Sequence, residues 1–417
     1  MRIGTRFGDM CGRTSAPLIE AADSLGCPTR QTQNGPALGP VLLWRAKDMA
    51  LDLETQAARL FTVGFQGKTR SSELEKLIAR GVGGVIFFAR NVGHAAEVAE
   101  LASGIKRLAG RPLILALDQE GGQVARLRQG FTEIPPMRAV GARGSAALAR
   151  EVGGVIGREV RAVGFDMNYA PVLDVDTNRQ NPVIAARSFG QTPELVTELG
   201  LALAAGLESA GVAACGKHFP GHGDTSQDSH LELPRLTHAL ERLEQVALRP
   251  FAAAARAGIP SLMTAHVIFE PLDPIYPATM SRPLVQGILR DRFGYDGLVV
   301  TDDLEMRAIA DHYGVEETVV RGLNAGVDHF LCCHTADLAH RAIEAVIHAV
   351  EQGTVSRQTL ATANRRLATF TDRYAHPAVE NPDLSMLNGE AHRAVIQRVR
   401  EDAGQEVGRD PTSFLRR

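Results

Sequence analysis

The sequence predicts a (β/α)8 barrel of the TIM type, an α/β fold with a single catalytic domain and a helical C-terminal extension. Three observations point there. Eight short apolar runs recur between residues 60 and 333, stretches of helical periodicity separate most of them, and polar residues suited to chemistry collect at their downstream ends. Strand–helix alternation favours a parallel sheet, and eight repeats suffice to close it on itself. A doubly wound open sheet is the competing layout, but no phosphate-binding glycine fingerprint follows the first run. The chain has 417 residues, and barrels of this type take ~250 as one domain.

Residues 1–48 carry Gly, Pro, Ser, Thr and Gln throughout and keep neither a helical nor a strand period. A disordered or loosely attached extension is expected there. At Met49 the pattern changes. Leu51, Leu53, Ala57, Ala58 and Leu60 fall at helix-compatible spacing, and the catalytic domain is placed at 49–375. The strand runs are 60–65, 84–88, 112–117, 165–170, 212–218, 261–266, 297–302 and 329–333. Helices are expected over 73–80, 95–108, 145–163, 193–210, 237–257 (with a break near Pro250) and 283–292. Two further helical patterns, 337–352 and 356–374, follow the last strand; the first completes the barrel and the second packs beside it. Residues 376–417 form a polar tail apart from an amphipathic stretch at 389–400.

Composition excludes several classes. A formal charge of −3 leaves no footprint for nucleic acid or an anionic membrane. No run of ~18 apolar residues is present, so no membrane span is expected, and the N-terminus lacks a signal-peptide pattern. The five cysteines (Cys11, Cys27, Cys215, Cys332 and Cys333) are odd in number and lack framework spacing. A reducing compartment fits them, and a cytoplasmic location is expected.

In a barrel, chemistry sits where strands end and βα loops begin. Asp118 follows the third run, Asn168 and Asp174 lie at or beyond the fourth, and Lys217-His218 closes the fifth. His266 ends the sixth, and Asp302-Asp303 the seventh. Each has a plainer reading: Asp118 as a turn residue, Asn168 as a loop cap, His266 as a satisfied core histidine. Strand alternation puts Asp302 on the face of Val300 and Asp303 on the face of Thr301. Asp303, just before Leu304-Glu305-Met306, suits a helix N-cap. Asp302 then points to the barrel axis, where a nucleophile belongs.

The most polar loop begins Lys217-His218-Phe219-Pro220-Gly221-His222-Gly223-Asp224 and reaches Asp228-Ser229-His230. In an extended segment, Asp228 and His230, spaced i, i+2, fall on one side. A carboxylate there fixes the imidazole tautomer and stabilises its cation. An ordinary pKa of ~6.5 suits histidine for general acid–base work near neutrality. The plainer reading is a loop-rigidifying Asp–His hydrogen bond. His218, His222, Asp224, Asp228 and His230 are all ligand-type side chains, but no H-x-H or H-E-x-x-H pair is present and Lys217 sets a cation beside them. No metal site and no cofactor are expected.

These stretches resemble glycoside hydrolase family 3, in particular its single-domain bacterial β-N-acetylglucosaminidases. The matching residues are Asp118-Gln119-Glu120-Gly121-Gly122, Arg187-Ser188-Phe189-Gly190, Lys217 to Gly223, Asp228-Ser229-His230 and Thr301-Asp302-Asp303-Leu304-Glu305-Met306, in the family's order. Gln123 stands where many relatives carry arginine. The resemblance implies a retaining exo-β-N-acetylglucosaminidase. Asp302 matches the nucleophile, His230 the acid/base and Asp228 its partner. Asp118, Arg126, Arg187, Lys217 and His218 match positions that bind the sugar. It also implies a small carbohydrate or muropeptide substrate from cell-wall recycling. Because a neutral imidazole base, unlike a carboxylate, does not repel an incoming anion, phosphate is expected to compete with water as acceptor.

Overall fold

Continuous apolar runs suit parallel strands buried on both faces, and each of the eight runs marks one barrel strand, the fifth and seventh strands ending one residue past their runs. They are β1 Phe61–Val63, β2 Gly84–Phe87, β3 Ile114–Leu117, β4 Met167–Asn168, β5 Ala213–Phe219, β6 Ser261–Thr264, β7 Leu298–Asp303 and β8 His329–Cys332. Each pairs in parallel with its sequence neighbour, and β8 pairs with β1 to close the barrel. The expected (β/α)8 fold is therefore the observed one. The computed structural model describes residues 51–401 apart from Gln227, His230 and Leu231. The expectations for the 1–48 extension, for His230 and for 402–417 lie outside the described residues.

Pairing is regular between β2 and β3, from Gly84 opposite Ile114 to Phe87 opposite Leu117, and between β6 and β7, from Ser261 opposite Leu298 to Thr264 opposite Thr301. It slips between β7 and β8. Val300 faces His329 but Asp303 faces Leu331, so three residues of one strand span two of the other. Such a bulge re-aims the side chains around it.

Helices coat the barrel for reasons visible in the chain. Ser71 caps Ser72–Arg80 by accepting from Leu74 N at 3.2 Å, and Ser145 caps Ala146–Ala162 through Leu148 N at 3.3 Å. The helical pattern over 237–257 is two helices, Leu240–Gln245 and Leu248–Ala257. The break falls at Val246 and Ala247, just before Pro250 and near where it was expected. Pro250 is the third residue of the second helix, where a missing N–H costs no intrahelical bond.

Buried ion pairs tie the bottom of the barrel, where such residues serve stability. Asp166, just before β4, takes Lys106 Nζ at 2.7 Å, Leu115 N at 2.9 Å and His376 N at 3.1 Å. Asp328, just before β8, is held by Arg290, by Arg366 Nη1 at 3.1 Å and by Val299 N at 2.9 Å. Beyond residue 375 a helix, Glu390–Arg400, packs against Ala146–Ala162. Glu159 of the latter accepts from His392 Nδ1 (2.8 Å), Asn388 N (2.9 Å), Thr132 N (2.9 Å) and Thr132 Oγ1 (2.6 Å). Among the described residues, no helix is long and apolar enough to cross a membrane.

Candidate active site

The loop after β3 sets the floor of the site. Asp118 directly follows the strand, and Gln119–Gly121 turns back to pair with Val124–Ala125. Gly121 and Gly122 make that turn at φ of 112° and 58°, a region that side-chain-bearing residues rarely adopt. Gln119 points away from the cavity and holds the returning strand. Its Oε1 accepts from Arg126 N (2.8 Å) and Leu127 N (3.0 Å), and its Nε2 donates to Leu127 O (2.9 Å). Asn168 braces the Gln119 backbone from β4, accepting from its N–H and donating to its carbonyl, both at 2.9 Å. The return brings Arg126 back beside Asp118.

Two carboxylates and three cations interlock there. Asp118 accepts from Lys217 Nζ (2.8 Å) and Arg126 Nη2 (3.1 Å). Glu120 accepts from Arg187 through Nε and Nη2, each at 2.9 Å, and lies 2.6 Å from Lys217 Nζ. Burial opposes ionisation of both acids, but the cations prevail. Lys217 and Arg126 hold Asp118 well below the usual carboxylate range, and Arg187 with Lys217 brings Glu120 down to about 2. Burial likewise opposes the charge on Lys217 and Arg187, yet both are raised, Lys217 by Asp118 and Glu120, Arg187 chiefly by Glu120.

Asp174 is completely buried and fixes the next loop. It accepts from His218 Nδ1 at 2.7 Å and from His222 N at 2.7 Å. His218 Nε2 faces Arg187 Nη2 at 3.4 Å. A guanidinium only donates, so Nδ1–H of His218 points to Asp174 and Nε2 accepts. Close packing shapes the same loop: a Cβ on Gly223 would lie 1.8 Å from Val175 O.

Asp302 and Asp303 both line the cavity, because the slip at the end of β7 overrides simple alternation. Asp302 Oδ1 accepts from Asp303 N at 2.8 Å. Asp303 is not a helix N-cap as expected. Its Oδ1 accepts from Glu305 N (3.1 Å) and Cys333 N (3.2 Å), its Oδ2 meets His334 Nε2 at 3.1 Å, and the next helix starts only at Arg307. His266 follows its plainer reading. It is buried between Thr279 Oγ1 (2.8 Å) and the Asp303 carbonyl (2.9 Å), and burial lowers its pKa.

Asp118, Arg126, Arg187, Lys217, His218 and Asp302 therefore share one cavity of about 510 Å³, with Ile86, Val183, Tyr169 and Met263 in its wall. That size suits a small ligand. Asp228 is buried beside Ser229, which lines the cavity, and His230 lies outside the described residues. Asp224 instead bonds Arg242 Nη2 (2.8 Å) and His238 Nε2 (2.6 Å). Glu120 was not singled out from sequence, although its i, i+2 spacing from Asp118, with Gln119 on the opposite side, marks it.

Residues 52–370 match the glycosyl hydrolase family 3 N terminal domain. The chain is 43% identical over 268 residues to a beta-hexosaminidase of Thiobacillus denitrificans, covering 63% of this chain and 74% of the relative. Among solved structures it is similar to a family 3 beta-N-acetylglucosaminidase from Paenibacillus sp. (TM-score 0.80, 42% identity, 84% of this chain and 68% of that one). It is also similar to NagZ from Neisseria gonorrhoeae in complex with N-trifluoroacetyl-D-glucosamine (TM-score 0.68, 31% identity, 82% and 96%). A family match spanning all eight barrel strands, and motifs that converge on one hollow, make this chain a member of glycosyl hydrolase family 3.

Proposed function

We propose that this family 3 glycoside hydrolase removes terminal β-linked N-acetylglucosamine by a retaining, two-step mechanism. The observation that carries the reading is Asp302 standing in the wall of the cavity whose floor is Asp118, Glu120, Arg187, Lys217 and His218. Directional donors and ionised acceptors fixed in advance suit a ligand dense in hydroxyls. In the first step Asp302 bonds to the anomeric carbon as the glycosidic C–O bond breaks, and His230, as imidazolium, gives its proton to the leaving oxygen. In the second, neutral His230 takes a proton from water, which displaces Asp302 and restores the starting configuration. Asp228 orients His230 and stabilises its cationic form. The beta-hexosaminidase and beta-N-acetylglucosaminidase relatives, and the 2-acylamino sugar bound in the Neisseria structure, support the substrate class. Peptidoglycan fragments in cytoplasmic cell-wall recycling are the corresponding source.

Two measurements test this. Aryl β-glycosides with the 2-acetamido group should be cleaved far faster than those without it. A 5-fluoro N-acetylglucosaminyl fluoride should leave an adduct on the peptide containing Asp302. Turnover without any adduct would mean that the substrate's own acetamido oxygen attacks instead.

A further inference from the structure

The loop after β5 must bring Asp228 and its neighbours back to the cavity, and a buried imidazole sits at its centre. His222 Nε2 lies 2.9 Å from Ser229 Oγ, and its Nδ1 lies 2.8 Å from Thr225 Oγ1. The His222 main chain is fixed as well. Its N–H donates to Asp174 Oδ1 at 2.7 Å, and its carbonyl accepts from Asn181 Nδ2 at 2.8 Å. His222, Thr225, Ser229 and Asn181 are all at most 2% exposed. Burial, and then the neighbouring His218, push the imidazole pKa down to about 4. It is neutral at working pH, with one nitrogen donating and one accepting, and the two hydroxyls satisfy both.

Ser229 is therefore held from two directions. Its side chain is tied to His222, and its carbonyl accepts from Ala308 N at 3.3 Å, in the short helix Arg307–Ala310 that follows Asp302 on the chain. Ser229 stands between Asp228 and His230 in the sequence. Ser229 is thereby held to the helix that follows the strand bearing Asp302.

We propose that His222 is a positioning residue for the general acid: acting through Ser229, it sets the placement of the proton donor over the bond that Asp302 attacks. This rests on the reading of His230 as the acid/base. The second histidine of the K-H-F-P-G-H-G stretch thus differs in task from the first. His218 faces the sugar floor beside Arg187, whereas both ring nitrogens of His222 are taken up within its own loop.

Acid catalysis matters most when the leaving group is a poor one. The test is kcat/KM across aryl β-N-acetylglucosaminides whose phenols run from strongly to weakly acidic, with wild type, Ser229→Ala, Ser229→Thr, His222→Gln and His230→Ala. Ser229→Ala and His222→Gln should lose roughly 10- to 100-fold on the least acidic phenol and little on the most acidic, the mark of a displaced acid. Ser229→Thr, which keeps the hydroxyl, should recover much of that loss. Equal loss along the series, no loss, or a loss that follows melting temperature and not phenol acidity overturns the proposal. Should His222→Gln fail to fold, the smaller Ser229→Ala change decides. A flat series for His230→Ala sinks the acid assignment and the positioning role together. A steep one for His230→Ala beside a flat one for Ser229→Ala removes the positioning role alone.

Discussion

Glu120 takes two N–H groups from Arg187 and sits against Lys217, all in a nearly dry setting. Removing it leaves Arg187 without its main counter-charge and Lys217 with Asp118 alone, and breaking a buried pair costs about 3–5 kcal/mol. Glu120→Ala should therefore lower stability by about that much, read from denaturant midpoints. It should also cut kcat/KM by roughly 100-fold, because Arg187 and Lys217 are no longer aimed. An enzyme of unchanged kcat/KM would show that the floor does not depend on it. Asp118, Lys217 and Asp302 are legible in the sequence because each stands at or beside the downstream end of an apolar run. Glu120 escaped notice because a hairpin two residues past the strand looks like a turn, and only the fold reveals that Arg187, 67 residues away, reaches it.

At the scale of elements, apolar runs were enough to place all eight strands, since a parallel strand buried on both sides leaves an unbroken signature. The registers were less legible. Alternation alone assigned Asp302 and Asp303 to opposite faces, and nothing in Thr301-Asp302-Asp303 announces that pairing with β8 slips there. Pro250 did mark a nearby break, which falls four residues earlier because a proline in a first turn disturbs nothing. The helix Glu390–Arg400 was expected from its amphipathic pattern, but its anchor was not. Glu159 joins that helix to Thr132, in the same loop that carries Arg126. Glu159→Ala removes the acceptor for four donors, three of them on buried Thr132 and His392, and we expect a loss of about 2–4 kcal/mol. Faster tryptic cleavage at Arg393, Arg398 or Arg400 is the accompanying readout; cleavage at the wild-type rate would count against the anchor.

For the molecule as a whole, pH acts through imidazoles kept neutral inside. Burial pushes His329 down to about 3 and, with His218, takes His222 to about 4; it also lowers His266. Unfolded, each gains a proton as pH falls through its ordinary 6.5; folded, each resists until much lower. The unfolded chain thus binds more protons in that window, so stability rises with pH there. The contribution is complete above 6.5, shrinks as pH falls, and is gone below the folded values. Asp118 and Glu120 act with the same sign but at lower pH, beginning below their ordinary 3.8 and 4.5. Melting temperature should therefore fall from pH 7 to pH 5. His329→Gln should flatten that slope by up to ~1.4 kcal/mol per pH unit, as calorimetry across this range would register; an unaltered slope would rule out His329 as a contributor. Closure of the barrel also bears on the end of β7. That strand keeps step with β6 through Thr301 and loses step with β8, so it carries one surplus residue along that seam, as β5 does against β6 between Gly216 and Phe219. The hollow thereby receives neighbouring acids where a regular ribbon would supply one. In the mechanism we propose, Asp302 is left to the chemistry, while Asp303 serves as joinery, clasping the Cys333 amide and His334 on the far side of the seam.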